Sequence, residues 1–475
     1  MILGIFFIIS ILTSVTILAG KNKTLTRSLV IFYGVFHLAF SVISWTKING
    51  SELIYFTYDS LSILFLSILS IVVTAVIYHG FIYVANDETR KYNIYHASLI
   101  ILVASISGAY LSNNLSAMWI FAEASTLAVA GLIYHDRTSL SLEATWKYIF
   151  LSSVGIALAF IGILFISMTM EGTAYNDLSF SSISAVASTA KPLYLKIAFL
   201  FIFVGFGTKM EIFPMHTVGI DANSVAPSPV GALISTGLVN MGFITIFRVY
   251  GSLSNSEIFP WMNNILILVG FLSLLTAAGY MLKAKYLKRM LAYSTLENMG
   301  LVSIALGMGG KGYYAAILLL IVHSFIKSSL FIQMNQLNRK LGTVKLDESG
   351  RYLKHYPAGA LVLIIGAVAI MAIPPSGLFV AELMIFRTLV ENERWFILIS
   401  VAILLSSIIY ALTIRIMHIV FSPPRVKLNL SATEKVNPLE TISQFIFLSI
   451  VIVLCFYQPA FLKELINQSI SVLLK

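Results

Sequence analysis

Apolar segments recur along the whole chain and are separated by short polar stretches. Most are about 20 residues long, the length that an α-helix needs to cross the hydrocarbon core of a bilayer. The pattern predicts an all-α polytopic membrane protein with about fourteen transmembrane helices. The segments are 2–19, 28–46, 58–84, 96–112, 114–134, 145–169, 193–215, 226–250, 259–281, 289–308, 312–334, 358–388, 396–421 and 441–461. No polar stretch is long enough for a separate soluble domain, so residues 1–475 are interpreted as one membrane domain.

Segments 7 and 12 are interrupted by residues that disfavour a continuous helix. These residues are Gly205, Gly207 and Pro214 in segment 7, and Pro374, Pro375 and Gly377 in segment 12. Interrupted helices at matching places in two halves are typical of transporters built from inverted repeats. Glycine and proline also kink ordinary membrane helices, which is the simpler alternative.

The five-segment spacing of the two interruptions predicts two inverted five-helix repeats. Helices 4–8 form the first repeat, at residues 96–250, and helices 9–13 the second, at 259–421, with helices 7 and 12 discontinuous. Residues 1–90 hold helices 1–3, and residues 441–475 hold helix 14 and a tail.

Composition and charge support a membrane location. Hydrophobic residues make up 58% of the 475 residues and charged residues only 11%, too few to cover a soluble surface. The net charge of +10 is explained by the positive-inside bias rather than by nucleic-acid binding. Nineteen lysines and arginines follow odd-numbered segments and eight follow even-numbered ones. This bias predicts both termini outside a prokaryotic inner (cytoplasmic) membrane.

Two further features limit the structural possibilities: the first apolar segment and the cysteine content. The first apolar segment has no basic residue before its core and no convincing cleavage site, so we expect a retained helix. The single cysteine, Cys455, allows no disulfide framework and no cysteine metal site.

Ionisable residues interrupt several apolar segments, where a single central charge costs about 2.5 kcal/mol or more. The candidates for ion translocation are Glu123, Lys147, Lys209, His323, Lys327 and Glu382. Each has a structural alternative. Lys147 lies four residues after Glu143 and is placed for an ordinary surface pair, whereas Glu382 is placed to anchor an interface.

These groups together suggest a proton relay, because a carboxylate near a lysine has a paired state and a protonated state. His323 and Lys327 share one helix face, so we expect one of them to be neutral. His216 and Glu297 are candidate entrance groups. A loop contact for His216, and capping or loop packing for Glu297, are equally plausible from sequence.

Five stretches then carry a resemblance to a known family. They are FAEASTLAVAGLIYHDRTSLSLEATWKYIFLSSVGIALAFIG, GFGTKMEIFPMHTVGIDANSVAPSPVGALIS, KRMLAYSTLENMG, HSFIKSSLF and IPPSGLFVAELMIF. Over roughly residues 55–420, the chain resembles the antiporter-like membrane subunits shared by respiratory complex I, Mrp antiporters and membrane-bound hydrogenases. EATWKY and PPSGLFVAELMIF are most similar to component F of hydrogenase-4 and formate hydrogenlyase-type complexes.

The resemblance implies a role for each candidate residue. Glu123 and Lys209 would form the input-side pair, and Lys147 would be the modulating lysine. His323 and Lys327 would lie on the central axis, and Glu382 would be the terminal group. Ser235 and Asn240 align with places where many members carry a buried lysine or histidine, so either water together with these two residues completes the path there, or the path is weaker than in those members.

The resemblance also implies partners and cofactors. We expect no redox cofactor and no metal in this subunit, because electron transfer in the family takes place in a redox module of partner subunits. Other membrane subunits of the assembly, the lipid bilayer and H⁺ or Na⁺ are the expected partners.

The favoured function is a proton-translocating subunit of a membrane-bound hydrogenase or complex I-related oxidoreductase, without a catalytic site of its own. The alternatives are a subunit of an Mrp-type Na⁺/H⁺ antiporter, and the proton-coupling membrane partner of an inorganic-carbon uptake complex. A purely structural anchor is disfavoured, because an anchor has no need of buried charges.

Overall fold

The computed structural model describes residues 2–175, 177–426 and 436–473. Lys427, Lys435 and Lys475, which entered the charge count for membrane topology, lie outside these ranges. Helices dominate the first part of the chain. They are α1 (Ile2–Ala19), α2 (Lys23–Trp45), α3 (Ser60–Tyr83), α4 (Thr89–Leu111), α5 (Leu115–Ile133), α6 (Ser139–Met170), α7 (Phe180–Val186), α8 (Pro192–Met210) and α9 (Thr217–Val225). Two short antiparallel strands, β1 (Ser51–Glu52) and β2 (Phe56–Thr57), join α2 to α3, with Ser51 opposite Thr57.

Helices also account for most of the described residues in the second part. They are α10 (Ser228–Leu233), α11 (Val239–Ser252), α12 (Phe259–Met281), α13 (Leu287–Met308), α14 (Lys311–Leu341), α15 (Tyr352–His355), α16 (Pro357–Ile370), α17 (Gly377–Glu391), α18 (Trp395–Phe421), α19 (Ile442–Phe456) and α20 (Ala460–Leu473). A π-helical turn, Ile234–Leu238, joins α10 to α11.

Twelve helical spans within the described ranges are long and apolar enough to cross a membrane. The two further predicted segments correspond to α13 and to the pair α16 and α17. The prediction of an all-α polytopic membrane protein is therefore confirmed. The number of helices that cross the bilayer and the two inverted repeats stay predictions.

Polar residues at the ends of the apolar runs set several helix boundaries. The side chains of Asn22, Asp59, Asn114, Thr138 and Ser179 each accept a hydrogen bond from a backbone N–H of the following first turn. These N–H groups have no partner within their own helix, and side-chain caps of this kind stabilise a helix by about 1 kcal/mol.

Both predicted helix interruptions are present. α8 ends at Met210, and the next residue, Glu211, has a left-handed backbone (φ 59°) whose N–H bonds to the carbonyl of Gly207. Pro214 then supplies no N–H for a continued helix. The second interruption separates α16 from α17 and contains Pro374 and Pro375.

A serine cap starts the helix that follows the second interruption. Ser376 accepts a hydrogen bond from the N–H of Leu378 at 3.1 Å. Gly377 is the first residue of α17, so the helix resumes directly after the cap.

The two glycines assigned to the first interruption do not break the helix. Gly205 and Gly207 lie inside the continuous helix α8. A Cβ atom on Gly205 would lie 2.5 Å from the carbonyl oxygen of Gly155 on α6. The role of Gly205 is therefore close packing, because small residues allow membrane helices to approach each other.

The described residues form two compact units. Unit 1 contains the described residues up to Ala222, then Gly237–Ile265 and the described residues from Phe461 onward. Unit 2 contains Asn223–Thr236 and the described residues of Leu266–Ala460. Helices α1–α8 and α11 belong to unit 1, and helices α13–α19 to unit 2.

The outer helices of unit 1 present apolar side chains on their exposed faces. Ile8 and Ile11 of α1 and Val35 of α2 are each more than half exposed. An extended exposed apolar surface is unfavourable in water but matches the hydrocarbon of a bilayer.

Candidate functional site

Lys209 is a buried lysine on the last turn of α8, directly before the first helix interruption. Its side chain is 2% exposed. The Nζ atom donates hydrogen bonds to the Thr126 hydroxyl at 2.6 Å and to the Tyr148 hydroxyl at 3.3 Å. It also lies 5.3 Å from the centre of the Tyr148 ring. Hydroxyl groups both accept and donate hydrogen bonds, so these two can pass a proton to or from the lysine.

Glu123 is the carboxylate of the same site. It lies on α5, one turn before Thr126, and residues three apart share a helix face. Its charge interacts electrostatically with Lys209. Oε1 lies 3.5 Å from the Ser153 hydroxyl, and Oε2 has no hydrogen-bond partner in the described part of the chain. Glu123 as a whole residue is only partly buried, although its Oε2 atom is buried, so it is the less enclosed member of the pair.

Glu211 is a carboxylate of this region that the sequence reasoning did not select. It is 1% exposed and lies in the interruption, two residues after Lys209. Its carboxyl group packs against Gly219 of α9, where any Cβ atom would collide with it. The Glu211 charge acts on the Tyr148 hydroxyl group, which also binds Lys209. The sequence feature that could have identified Glu211 is an acidic residue within the helix interruption itself.

Lys147 is not a buried charge, contrary to the sequence-based expectation. Its side chain is 50% exposed and pairs with Glu143 at 2.6 Å, one turn earlier on α6. Asp221 of α9 also lies 3.8 Å from the same lysine. The surface pair expected between Lys147 and Glu143 is therefore present, because both side chains are exposed at the start of α6.

His216 lies in the first interruption and is 9% exposed. Its ring stacks on that of Phe213, with the ring centres 5.9 Å apart. This ring stacking is a contact of the kind expected if His216 has only a packing role. A role at an entrance stays a prediction.

Lys327 is the corresponding buried lysine of unit 2. It lies on α14 and is 0% exposed. Its Nζ atom donates to the Ser294 hydroxyl at 2.5 Å and to the carbonyl oxygen of Leu291, both on α13. The lysine is therefore held against one face of α13.

His323 lies one turn before Lys327 on α14 and is 0% exposed. The backbone of Ser235 interacts with the ring, but neither ring nitrogen makes a hydrogen bond of normal geometry within the described residues. A buried polar group of this kind is costly unless water satisfies it.

Two carboxylates of unit 2 are also buried. Glu382 lies on α17, after the second interruption, and is 9% exposed. Glu297 is 3% exposed and lies near the middle of α13. The sequence-based alternatives for Glu297 were an entrance, a cap or a loop contact. The cap is wrong, because α13 extends well beyond this residue in both directions, whereas the entrance and the loop contact stay predictions.

Ser235 and Asn240 lie at the π-helical turn between α10 and α11 and just after it. Ser235 donates to the Asn223 side chain at 3.2 Å within unit 2. Asn240 hydrogen-bonds to Tyr110 within unit 1. Single π-helical turns are frequent at functional sites. A water path at these residues stays a prediction.

Arg248 is a buried cation that the sequence reasoning counted as a loop charge. It lies on α11 and is 1% exposed. Its guanidinium donates to Asp59 at 2.6 Å, to Ser62 at 2.7 Å and to the carbonyl oxygen of Ser112. A cation with this many fixed partners is structural rather than mobile.

The described residues contain no group of three or more histidine, cysteine, aspartate or glutamate side chains that could hold a metal ion. The buried lysines of the two units, Lys209 and Lys327, instead bind hydroxyl groups on helices that also carry a glutamate.

The chain belongs to a family of antiporter-like membrane subunits. The family model described as "NADH:quinone oxidoreductase/Mrp antiporter, TM" matches residues 112–409, more than half of the chain. Among curated proteins, it is 29% identical over 381 residues to the hydrogenase-4 component F homolog of Methylacidiphilum infernorum (isolate V4). That alignment covers 78% of this chain and 80% of the relative.

Solved structures share the fold. The membrane-bound sulfane sulfur reductase, an archaeal respiratory membrane complex, contains a chain that matches with a TM-score of 0.88 at 19% identity. The match covers 100% of this chain and 98% of that one. A chain of the Mrp complex from Dietzia sp. DQ12-45-1b matches with a TM-score of 0.84 at 16% identity, over 100% and 97% of the two chains. The family resemblance inferred from the motifs is confirmed.

Proposed function

We propose that this chain translocates protons as one antiporter-like subunit of a redox-driven membrane complex. The observation that carries the proposal is the Lys209 site. A buried ammonium group is held by two hydroxyls beside a helix interruption, and a partly exposed carboxylate acts on it through space. Buried ionisable groups in membrane proteins are costly, and they mark ion pathways.

The first step of the proposed mechanism takes place in unit 1. In this proposal Glu123 is the group that receives the proton, since it is the less buried member of the pair. The Thr126 hydroxyl donates to the carbonyl oxygen of Ala122 and not to Glu123, so we propose that water or a rotated hydroxyl passes the proton between this carboxylate and a neutral Lys209. Each transfer moves one proton and no electron.

Partner subunits then control whether Lys209 is protonated or neutral. A nearby negative charge favours the ammonium form, and its withdrawal favours release. A conformational change in a partner that moves Glu123 relative to Lys209 therefore loads or unloads one proton. Unit 2 uses Lys327, His323 and Glu382 in the same manner.

The proposed partners are other membrane subunits and a redox module that carries the electron-transfer cofactors, with none in this chain. The hydrogenase-4 relative favours this assembly. We place the chain in the inner (cytoplasmic) membrane of a prokaryote because it resembles bacterial hydrogenase-4 components, and we place both termini outside on the basis of the charge distribution of its loops.

A second candidate is a subunit of a Na⁺/H⁺ antiporter without a redox partner. The fold shared with a chain of an Mrp complex favours it. The same lysine and carboxylate groups serve either function.

Purification of the tagged chain in mild detergent, with mass spectrometry of what accompanies it, tests the assembly. We expect a hydrogenase-like or quinone-oxidoreductase module. Recovery of antiporter subunits alone would reject the redox-driven reading and favour Na⁺/H⁺ exchange.

Reconstitution of the purified complex into vesicles with an internal pH dye tests the proton path. We expect Glu123→Gln to reduce proton movement on the order of a hundred-fold, because the partly exposed carboxylate is lost while the shape is kept. Glu257→Gln is the matched control, since Glu257 is exposed and lies between α11 and α12. Equal rates in the two variants would contradict the proposed path.

A further inference from the structure

Glu297 is the least exposed carboxylate among the described residues of unit 2. It lies on α13 with 3% of its surface exposed, and its Oε2 atom has no hydrogen-bond partner within the described residues. A buried carboxylate that is charged and unpartnered is strongly unfavourable, and a protonated one is much less so. This side chain is consequently a place where a proton is held.

Lys327 of α14 binds the same helix, α13, that carries Glu297. The lysine Nζ bonds to Ser294 at 2.5 Å and to the carbonyl oxygen of Leu291. Ser294 is three residues before Glu297, so the two side chains share one face of α13. The ammonium of α14 therefore lies about one helical turn from the carboxyl group of α13.

Charged groups from two other helices act on Glu297. They are Glu382 on α17 and Lys327 on α14. Helices α13, α14 and α17 all pack against one another within unit 2. A carboxyl group that interacts with both a lysine and a second carboxylate is suited to exchange a proton with either.

The arrangement reproduces the one around Lys209. There, the lysine Nζ binds the hydroxyl of Thr126, three residues from Glu123 on α5. Here, the lysine Nζ binds the hydroxyl of Ser294, three residues from Glu297 on α13. α5 and α13 are both the second helix of a predicted repeat, but Glu123 precedes its hydroxyl and Glu297 follows its own, so the two carboxylates match in chemistry and not in position along the helix.

We propose that Glu297 is a proton-carrying group that exchanges a proton with Lys327 and with Glu382. In one step the Lys327 ammonium gives a proton to the Glu297 carboxylate, leaving a neutral amine and a carboxylic acid. In the next step that acid gives its proton to the Glu382 carboxylate. Each step moves one proton and no electron. The role rests on the proposed function, because it extends the same proton path.

Transport by the reconstituted complex is the first test. We expect Glu297→Gln to assemble and to lower proton movement on the order of a hundred-fold, whereas Glu257→Gln transports at the wild-type rate. Wild-type transport by Glu297→Gln, in a preparation where Glu123→Gln is inactive, would overturn the role of Glu297 and leave the proposed function intact.

Chemical labelling of the wild-type complex tests the same residue without any transport assay. Dicyclohexylcarbodiimide adds to protonated carboxyl groups in apolar surroundings, and peptide mass spectrometry locates the adduct. We expect an adduct on Glu297 and none on Glu257. We also expect Lys327→Met to increase labelling of Glu297, because removal of the cation favours the protonated acid.

The labelling result decides the inference even if a variant fails to assemble or the complex moves no protons. No adduct on Glu297, or labelling unchanged by Lys327→Met, would overturn the proposal. An adduct that increases in Lys327→Met would support it, even where failed transport rejects the proposed function.

Discussion

The two buried lysines, Lys209 in unit 1 and Lys327 in unit 2, have similar surroundings but different access to solvent. Each donates a short hydrogen bond to a hydroxyl that lies three residues from a glutamate on the facing helix. Lys209 is bound by hydroxyls only, and its glutamate, Glu123, is partly exposed. Lys327 also binds a backbone carbonyl, and its glutamate, Glu297, is buried.

This difference separates an exchange site from an internal one. In the proposed mechanism, the less enclosed Glu123 is where the Lys209 site exchanges protons with its surroundings. The Lys327 site, held against α13 by its hydrogen bonds, would exchange protons with other buried groups of unit 2.

Arg248 is a third buried cation, and its replacement tests whether burial alone makes a cation part of the proton path. Arg248→Met should destabilise unit 1 by about 3–5 kcal/mol, because it leaves Asp59 without its partner. The measurement is the temperature at which the purified chain in detergent loses its near-ultraviolet circular dichroism. Lys463→Met, at an exposed position, is the control. An unchanged melting temperature in Arg248→Met would remove the distinction between structural and functional cations.

Removal of either lysine should stop transport without such destabilisation. We expect Lys209→Met and Lys327→Met each to lower proton movement on the order of a hundred-fold, because each removes a group that carries a proton. Dye-monitored vesicle assays measure the rate, and the melting temperature measures integrity. If one variant transported normally, the two units would not form one path.

Removal of the hydroxyl partners should affect the two lysines unequally. We expect Thr126→Val to lower transport about ten-fold, because Lys209 keeps only its longer bond to Tyr148. Ser294→Ala should cost about three-fold or less, since Lys327 keeps the Leu291 carbonyl. The ratio of the two rates is the measurement. Equal losses would show that the backbone carbonyl does not hold Lys327.

The smallest effect is expected at the surface. Lys147→Met should change transport by a factor of about three or less, because its pair with Glu143 is half exposed and screened by water. The rate is measured at low and high salt in the same vesicle assay. A loss as large as that of Lys209→Met would place Lys147 in the proton path.

The sequence predicted the helical fold and the interruption of two helices, because long apolar runs and prolines act locally. It also selected Lys209 and Lys327 correctly as buried charges. The prediction that Lys147 is buried was wrong, because the exposed start of a helix and the buried start of a helix have similar sequences. It missed the burial of Arg248, because only the fold brings Asp59, Ser62 and Ser112 to its guanidinium.

Local features account for what the sequence by itself determined, namely membrane insertion, helix boundaries, the breaks after Met210 and Ile370, and the family. These depend on hydrophobic length, capping side chains and proline, which act within a few residues. Only the tertiary structure decided which hydroxyls hold the lysines and that Glu211 and Glu297 are buried carboxylates. The physical reason is that hydrogen-bond partners and burial are set by helices distant in sequence, such as α5 with α8 and α13 with α14.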